Sequence, residues 1–245
     1  MAAETNRGVE DQVSTIELLW GLRPTPNRGP KPTLSLDRIA QVAVDIADAD
    51  GLGAVSMQHV AHKFDVTKMA LYRYVASKAQ LLAVMIEQAV GDPPNLSRVR
   101  RGWRPKLEAW ARRMWATWDR HPWLPEVTTG DRVMGPKELG WTECAVGALA
   151  GTGLHGREQM DAVFVLSGHI RNTRSIAAAG TQPWTSERQL ALLRQHGDRF
   201  SAVMAAVAPV VGAARHDAGS AREFGLRRIL DGLELLIATR SSDSG

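Results

Sequence analysis

The sequence predicts an all-α protein, and three features carry that expectation. Apolar residues recur at helical spacing from Ile39 to near the C-terminus. Hydroxyl side chains and glycines stand where helices would start and stop, and no sustained alternation of apolar and polar residues argues for a sheet. With 245 residues, 44% of them apolar, the chain can build a substantial core in one large or two modest domains.

Residues 1–34 read as a flexible basic extension. The stretch "GLRPTPNRGPKPTL" from Gly21 carries Arg23, Arg28 and Lys31 with four prolines and no acid. From Ser35, an N-cap candidate, the residues Ile39, Val42, Ala43, Ile46 and Ala47 mark one face of a helix that Gly51 ends. Asp45, Asp48 and Asp50 read as its solvated face. A short helix follows from Ser56, burying Val60 and Ala61, until "FDV" interrupts it; a third runs from Thr67 to about Tyr74. Two short helices with a three-residue turn between them have the dimensions of a helix-turn-helix. Ser77 caps a longer helix whose apolar side is Leu81, Leu82, Met85, Ile86 and Ala89.

"GDPPN" at 91–95 is the expected seam, separating a small domain at 35–90 from a larger one at 91–245. Beyond it, Trp103, Leu107, Trp110, Met114 and Trp118 keep helical spacing. Further helices are expected at about 136–150, 156–179, 186–208 and 220–239.

The net charge of +4 is too small to identify a partner, so its distribution matters more. No acid occurs between Asp65 and Glu87, whereas Lys68, Arg73 and Lys78 fall at intervals of five with Tyr72 and Tyr74 among them. A solvated surface helix normally mixes both signs, so a cationic face with interleaved aromatics suggests a polyanion. If Leu71 and Val75 are buried, then Thr67, Lys68, Met69, Tyr72 and Arg73 face outward or sideways. Lysine and tyrosine reach phosphates, arginine and lysine read guanine edges, and the Thr67 and Met69 side chains can touch a thymine methyl. Lys78 would stand in the first turn of the next helix, where free N–H groups already favour a phosphate.

The segment "LDRIAQVAVDIADADGLGAVSMQHVAHKFDVTKMALYRYVASKAQLL" resembles the DNA-binding domain of the TetR family of transcriptional repressors. The resemblance is carried by Phe64, Asp65, Val66, Thr67, Leu71, Tyr72, Ser77, Lys78, Leu81 and Leu82. Asp65 stands where that turn often has glycine, and Tyr74 and Val75 where His-Phe is frequent. "LLWG", "RGPKP", "RHPWL" and "GPKELGWTECAVGALAGTGL" are similar to the branch whose C-terminal half is like that of the tetracycline repressor. The resemblance implies that Gln58, Thr67, Lys68, Met69, Tyr72, Arg73, Tyr74 and Lys78 contact an operator. It also implies a homodimer, a small-molecule effector and an all-α ligand-binding and dimerisation domain behind the reading head. The Arg28–Lys31 arm could reach a minor groove. The competing reading is a helical small-molecule binding protein without an operator.

Other signals are weaker. "GTGLHG" at 151–156 matches G-x-G-x-x-G, but an alanine-rich helical stretch precedes it instead of a strand, so it reads as a helix-ending loop and no cofactor is expected. His59 and His62 lack a third metal ligand nearby, and no nucleophile or zinc-protease motif suggests an enzyme. The single Cys144 fits a reducing cytoplasm. The N-terminus has no secretory pattern, and the apolar run from Met204 is interrupted by Pro209, well short of a membrane span.

Five of the eight tryptophans fall between 103 and 123. Helical spacing makes them core residues first. A cavity lined by Trp110, Met114, Trp118, Phe164 and His169 is the candidate effector site, because ligand sites are mostly apolar with a few placed polar groups. Phe200, Val203, Met204 and Val207, with Ile229, Leu233, Leu236 and Ile237, are the candidate dimer surface or, equally, intrachain core.

Overall fold

The computed structural model describes residues 2–22, 34–179, 187–207 and 218–243, all of which are helix, turn or loop with no strand among them. The basic arm at Arg23, Arg28 and Lys31 lies outside the described residues. In order the helices are α1 (Ala2–Leu19), α2 (Leu36–Asp50), α3 (Met57–Lys63), α4 (Lys68–Tyr72), α5 (Lys78–Val90) and α6 (Trp103–Arg120). They continue with α7 (Leu124–Val127), α8 (Pro136–Ala148), α9 (Gly156–Ala179), α10 (Glu187–Gln195), α11 (Ser201–Val207) and α12 (Ala218–Asp243).

Local chemistry sets the boundaries of the first domain. Each of α2 to α5 begins at a hydroxyl cap: Ser35 accepts from the Arg38 N–H, Ser56 from His59, Thr67 from Ala70 and Ser77 from Gln80. The α3 to α4 turn is closed by Asp65 N–H donating to His62 O at 3.1 Å and Val66 N–H to Ala61 O at 3.2 Å. That pair of bonds requires a left-handed residue between them, and Asp65 supplies it at φ 54°. Aspartate tolerates this region better than most residues with a Cβ. The core shared by α2 to α5 then forms from Ile39, Val60, Leu71, Val75, Leu81 and Met85, each 0% exposed.

Three expectations need correction. The N-terminal segment is helical over Ala2–Leu19 instead of a flexible extension, because it has a partner: α1 lies against α5, Thr15 is buried, and Gln80 Nε2 donates to Ser14 Oγ at 3.1 Å. The helix expected at 186–208 is divided, since His196 leaves helical geometry before Gly197 and a 3-10 turn at Gly197–Phe200 intervenes between α10 and α11. The seam at 91–95 is no packing boundary. Residues 1–149 form one compact unit and 150–245 a second, because α5 packs on α7 and α8 across that segment.

In the second unit α9 and α12 run antiparallel. His169 Nε2 lies 2.9 Å from Arg222 O near one end, and Arg240 bonds Glu158 at 2.5 Å near the other. Leu166, Ile170, Leu226 and Leu230 fill the seam. Gly225 permits this approach, since a Cβ there would meet the His169 ring. The G-x-G-x-x-G stretch is the loop between α8 and α9, with Gly151 and Gly153 at φ 75° and 85°.

Candidate nucleic-acid interface

The recognition face depends on what lies beneath it. Leu71 and Val75 are fully buried, which turns the other side of α4 and its C-cap to solvent. Thr67, Lys68, Met69, Tyr72 and Arg73 are all exposed, with Met69 at 68% despite being apolar. Gln58 on α3 and Lys78 in the first turn of α5 are exposed as well, whereas Tyr74 is half-buried. The structure therefore brings the eight sequence-derived residues onto α3, α4, the α4 to α5 turn and the start of α5. Asp65, in the α3 to α4 turn, is an exposed acid two residues before Thr67 in the chain.

Behind this surface, hydrogen bonds tie α2, α5 and the loop after α5 to the helices that follow, and those helices to one another. Glu87 Oε2 and Oε1 accept the backbone N–H groups of Lys137 and Glu138 at 2.8 and 3.1 Å, capping α8 in place of Gly135, which has no side chain to do so. Trp141 Nε1 donates to Val90 O at 3.2 Å, and Trp110 Nε1 donates to Trp141 O at 2.9 Å. Cys144 Sγ donates to Pro94 O at 3.3 Å, and burial pushes its thiol above the ordinary range. At the other side of the head, Asp48 accepts from Trp123 Nε1 at 2.7 Å and meets His121 Nδ1 at 2.9 Å. Asp48 is exposed, as expected of the acidic face of α2, and is bonded as well. Its partners lie more than seventy residues away, and only the "RHPWL" motif marked their segment as special.

Burial raises the Glu87 carboxyl above the usual glutamate range, against the two backbone N–H groups that favour its charged form. A carboxyl raised by folding contributes stability that is complete below the unfolded value and is lost as pH rises through the folded one. Glu87→Gln does not titrate. Its melting temperature relative to the wild type should therefore rise between pH 4 and pH 7; a difference that is constant or falls would contradict the burial effect.

The candidate effector lining is placed unevenly. Trp110 and Trp118 are buried at 1% and 5% exposure on α6 and Met114 is half-buried beside them, while Phe164 on α9 is 68% exposed. Trp110 also packs edge-on against Trp141, 6.4 Å between ring centroids. His169 is half-buried and engaged with Arg222 O, the role of a satisfied structural histidine. A separate polar cleft of about 640 Å³, whose walls include Gln41, Gln88, Arg113, Arg120 and His121, lies between α2, the end of α5 and α6.

A capped pair of short helices presenting a cationic, acid-free second helix to solvent is the architecture of a helix-turn-helix DNA-binding regulator. The pattern described as "Bacterial regulatory proteins, tetR family" matches residues 39–85, and that described as "Tetracyclin repressor-like, C-terminal domain" matches residues 98–237. The chain belongs to the TetR family of transcriptional regulators. It is 34% identical to the HTH-type transcriptional repressor DrrR1 of Streptomyces coeruleorubidus, over 97% of this chain and 91% of that one. Among solved structures, a possible TetR family transcriptional regulator from Streptomyces coelicolor A3(2) superposes with a TM-score of 0.68 at 28% identity, covering 82% of this chain and all of that one. ActR of Streptomyces coelicolor, solved in complex with actinorhodin, shares the fold with a TM-score of 0.68 at 22% identity, over 83% of this chain and 96% of that one.

Proposed function

We propose that the protein is a homodimeric repressor that binds a palindromic operator and is released from it by a small apolar or aromatic ligand. The observation that carries this reading is the exposed, cationic face of α4 and the start of α5, from Thr67 to Lys78. One recognition helix of five residues makes a short contact, so useful specificity needs two copies in successive major grooves, about 34–36 Å apart or a multiple of it. In this reading Gln58, Thr67, Lys68, Met69, Tyr72, Arg73, Tyr74 and Lys78 form the operator surface, and residues 91–245 hold ligand and dimer contacts.

Dimerisation is supported by exposed apolar side chains on the α9 and α12 pair: Phe164, Val165, Phe224 and Leu235 are 68%, 55%, 67% and 73% exposed. Large apolar groups of this kind mark an interaction surface in a soluble protein. The face centres on α9 and α12, with Phe200 and Val203 at 42% and 38% exposure as flanking candidates. Ile229, Leu233, Leu236 and Ile237 are half-buried, and the Val207 side chain lies outside the described residues. Ligand release is supported by the likeness of fold to ActR, which binds actinorhodin. Coupling of about 1–3 kcal/mol between ligand and operator is sufficient, and it must act equally in both directions.

Selection of the purified protein on random duplex DNA, followed by titrations of the enriched sequence across salt concentrations, tests the reading. Lys68, Arg73 and Lys78 in two protomers offer six phosphate contacts, so a palindrome should emerge with a log–log salt slope of about −5. A helical ligand carrier without an operator would yield no palindrome and a shallow slope.

A further inference from the structure

Asp48 and Asp50 both stand at the unfavourable end of α2, and of the two Asp48 is the one held by side chains of the α6 to α7 turn. Asp48 lies in the last turn of α2, where the helix dipole disfavours an anion and no basic residue of that turn offsets it. It is met by two ring N–H groups from the α6 to α7 turn, Trp123 Nε1 at 2.7 Å from Oδ1 and His121 Nδ1 at 2.9 Å from Oδ2. The turn itself is stiff. His121 ends α6 by donating its N–H to Thr117 O, and the following Pro122 keeps it out of the helical region, at φ −120° and ψ 77°. The His121 and Trp123 rings meet edge-on at 6.1 Å between centroids, and both residues are buried.

The contact is also concentrated. The apolar face of α2 lies on α5, with no comparably broad backbone approach to α6. Between α2 and α6 lies the 640 Å³ cleft, walled by Gln41, Val44, Thr117, Arg120 and His121, so side chains do not fill the space beside the Asp48 contact. His121 stands three residues after Trp118, less than one helical turn from the candidate effector lining on α6.

We propose that Asp48 is a positioning residue: its bonds to His121 and Trp123 fix α2, and with it the recognition helix, against the α6 to α7 turn, and thereby set the half-site separation that the repressor accepts. The assignment rests on the operator-binding reading above. Two recognition helices held at one separation discriminate between operators whose half-sites differ only in spacing. Loosening the joint relaxes that discrimination without removing any DNA contact.

The test uses the full-length protein, the palindrome obtained by selection, and derivatives with one base pair inserted or deleted at its centre. Wild-type protein should lose at least about tenfold in affinity for either derivative. Asp48→Ala should bind the best operator about tenfold more weakly while its penalty for the altered spacings falls below about threefold. Asp48→Asn, whose carbonyl oxygen can still accept from Trp123 and whose amide can donate to His121 Nδ1 once that ring carries its hydrogen on Nε2, should restore the wild-type pattern. Equal weakening on all three operators, or an undiminished spacing penalty, would overturn the assignment. If Asp48→Ala fails to fold, Trp123→Phe removes one donor of the joint and should lower the spacing penalty in the same direction; an unchanged penalty there would also overturn it. Failure of the wild-type protein to enrich any palindrome would instead fall on the functional reading and take this assignment with it.

Discussion

Replacing Tyr72 and Lys78 together by alanine should lower operator affinity by about a thousandfold while leaving the fold and the oligomeric state unchanged. Both side chains are exposed, on opposite sides of the buried Val75, and Lys78 stands at the N-terminus of α5 where a phosphate is favoured. Losing about 1 kcal/mol at each of four sites in a dimer amounts to ~4 kcal/mol, or nearly three decades. The lost lysines should also flatten the salt slope by about two, one per protomer. Thermal melting should stay within about 0.5 kcal/mol of the wild type, as for exposed substitutions elsewhere. Operator affinity that survives the double change in a normally folded protein would move the reading surface away from the start of α5.

The second large effect concerns assembly. Phe164→Asp combined with Phe224→Asp should convert the proposed dimer to monomer, read by sedimentation or light scattering, with loss of operator binding at nanomolar protein. Each phenylalanine is about two-thirds exposed, so neither supports the core of its own protomer and the monomer should remain folded. Covering these rings in a dimer contributes roughly 2 kcal/mol per ring, and a carboxylate in their place would be buried without a partner. Two changes per protomer therefore shift the association constant by several decades. A double variant that stays dimeric would place the interface elsewhere, on the α10 to α11 segment around Phe200 and Val203.

What the sequence disclosed and what it withheld differ by the range of the interaction. Ser35, Ser56, Thr67 and Ser77 begin their helices as expected because a cap satisfies N–H groups only two or three residues away. The same locality made the exposed face of α4 legible, since the buried positions Leu71 and Val75 are one turn apart. Asp48 is exposed as expected, but its bonds were not legible because its partners at 121 and 123 become neighbours only after folding. Ser14 and Gln80 are alike in this respect: a polar N-terminal segment gains a helix from a bond to a residue 66 positions on. The tryptophan spacing on α6 indicated burial correctly, but helical period does not say whether a buried ring faces a cavity or, as with Trp110, another indole and a backbone carbonyl. The break at His196 and Gly197 escaped because the apolar period continues through it.

The placement of three of these indoles has an optical consequence. Trp123 donates to Asp48 on α2 and Trp141 to the end of α5, so both stand at joints between α2–α5 and the rest of the first unit, while Trp110 ties α6 to α8 behind them by donating to Trp141. Opening any of these joints would bring a buried ring into water and change its emission wavelength and yield. The repressor thus carries built-in fluorophores at its own interhelical contacts, and the proposed operator and effector binding should be readable from them in unlabelled protein.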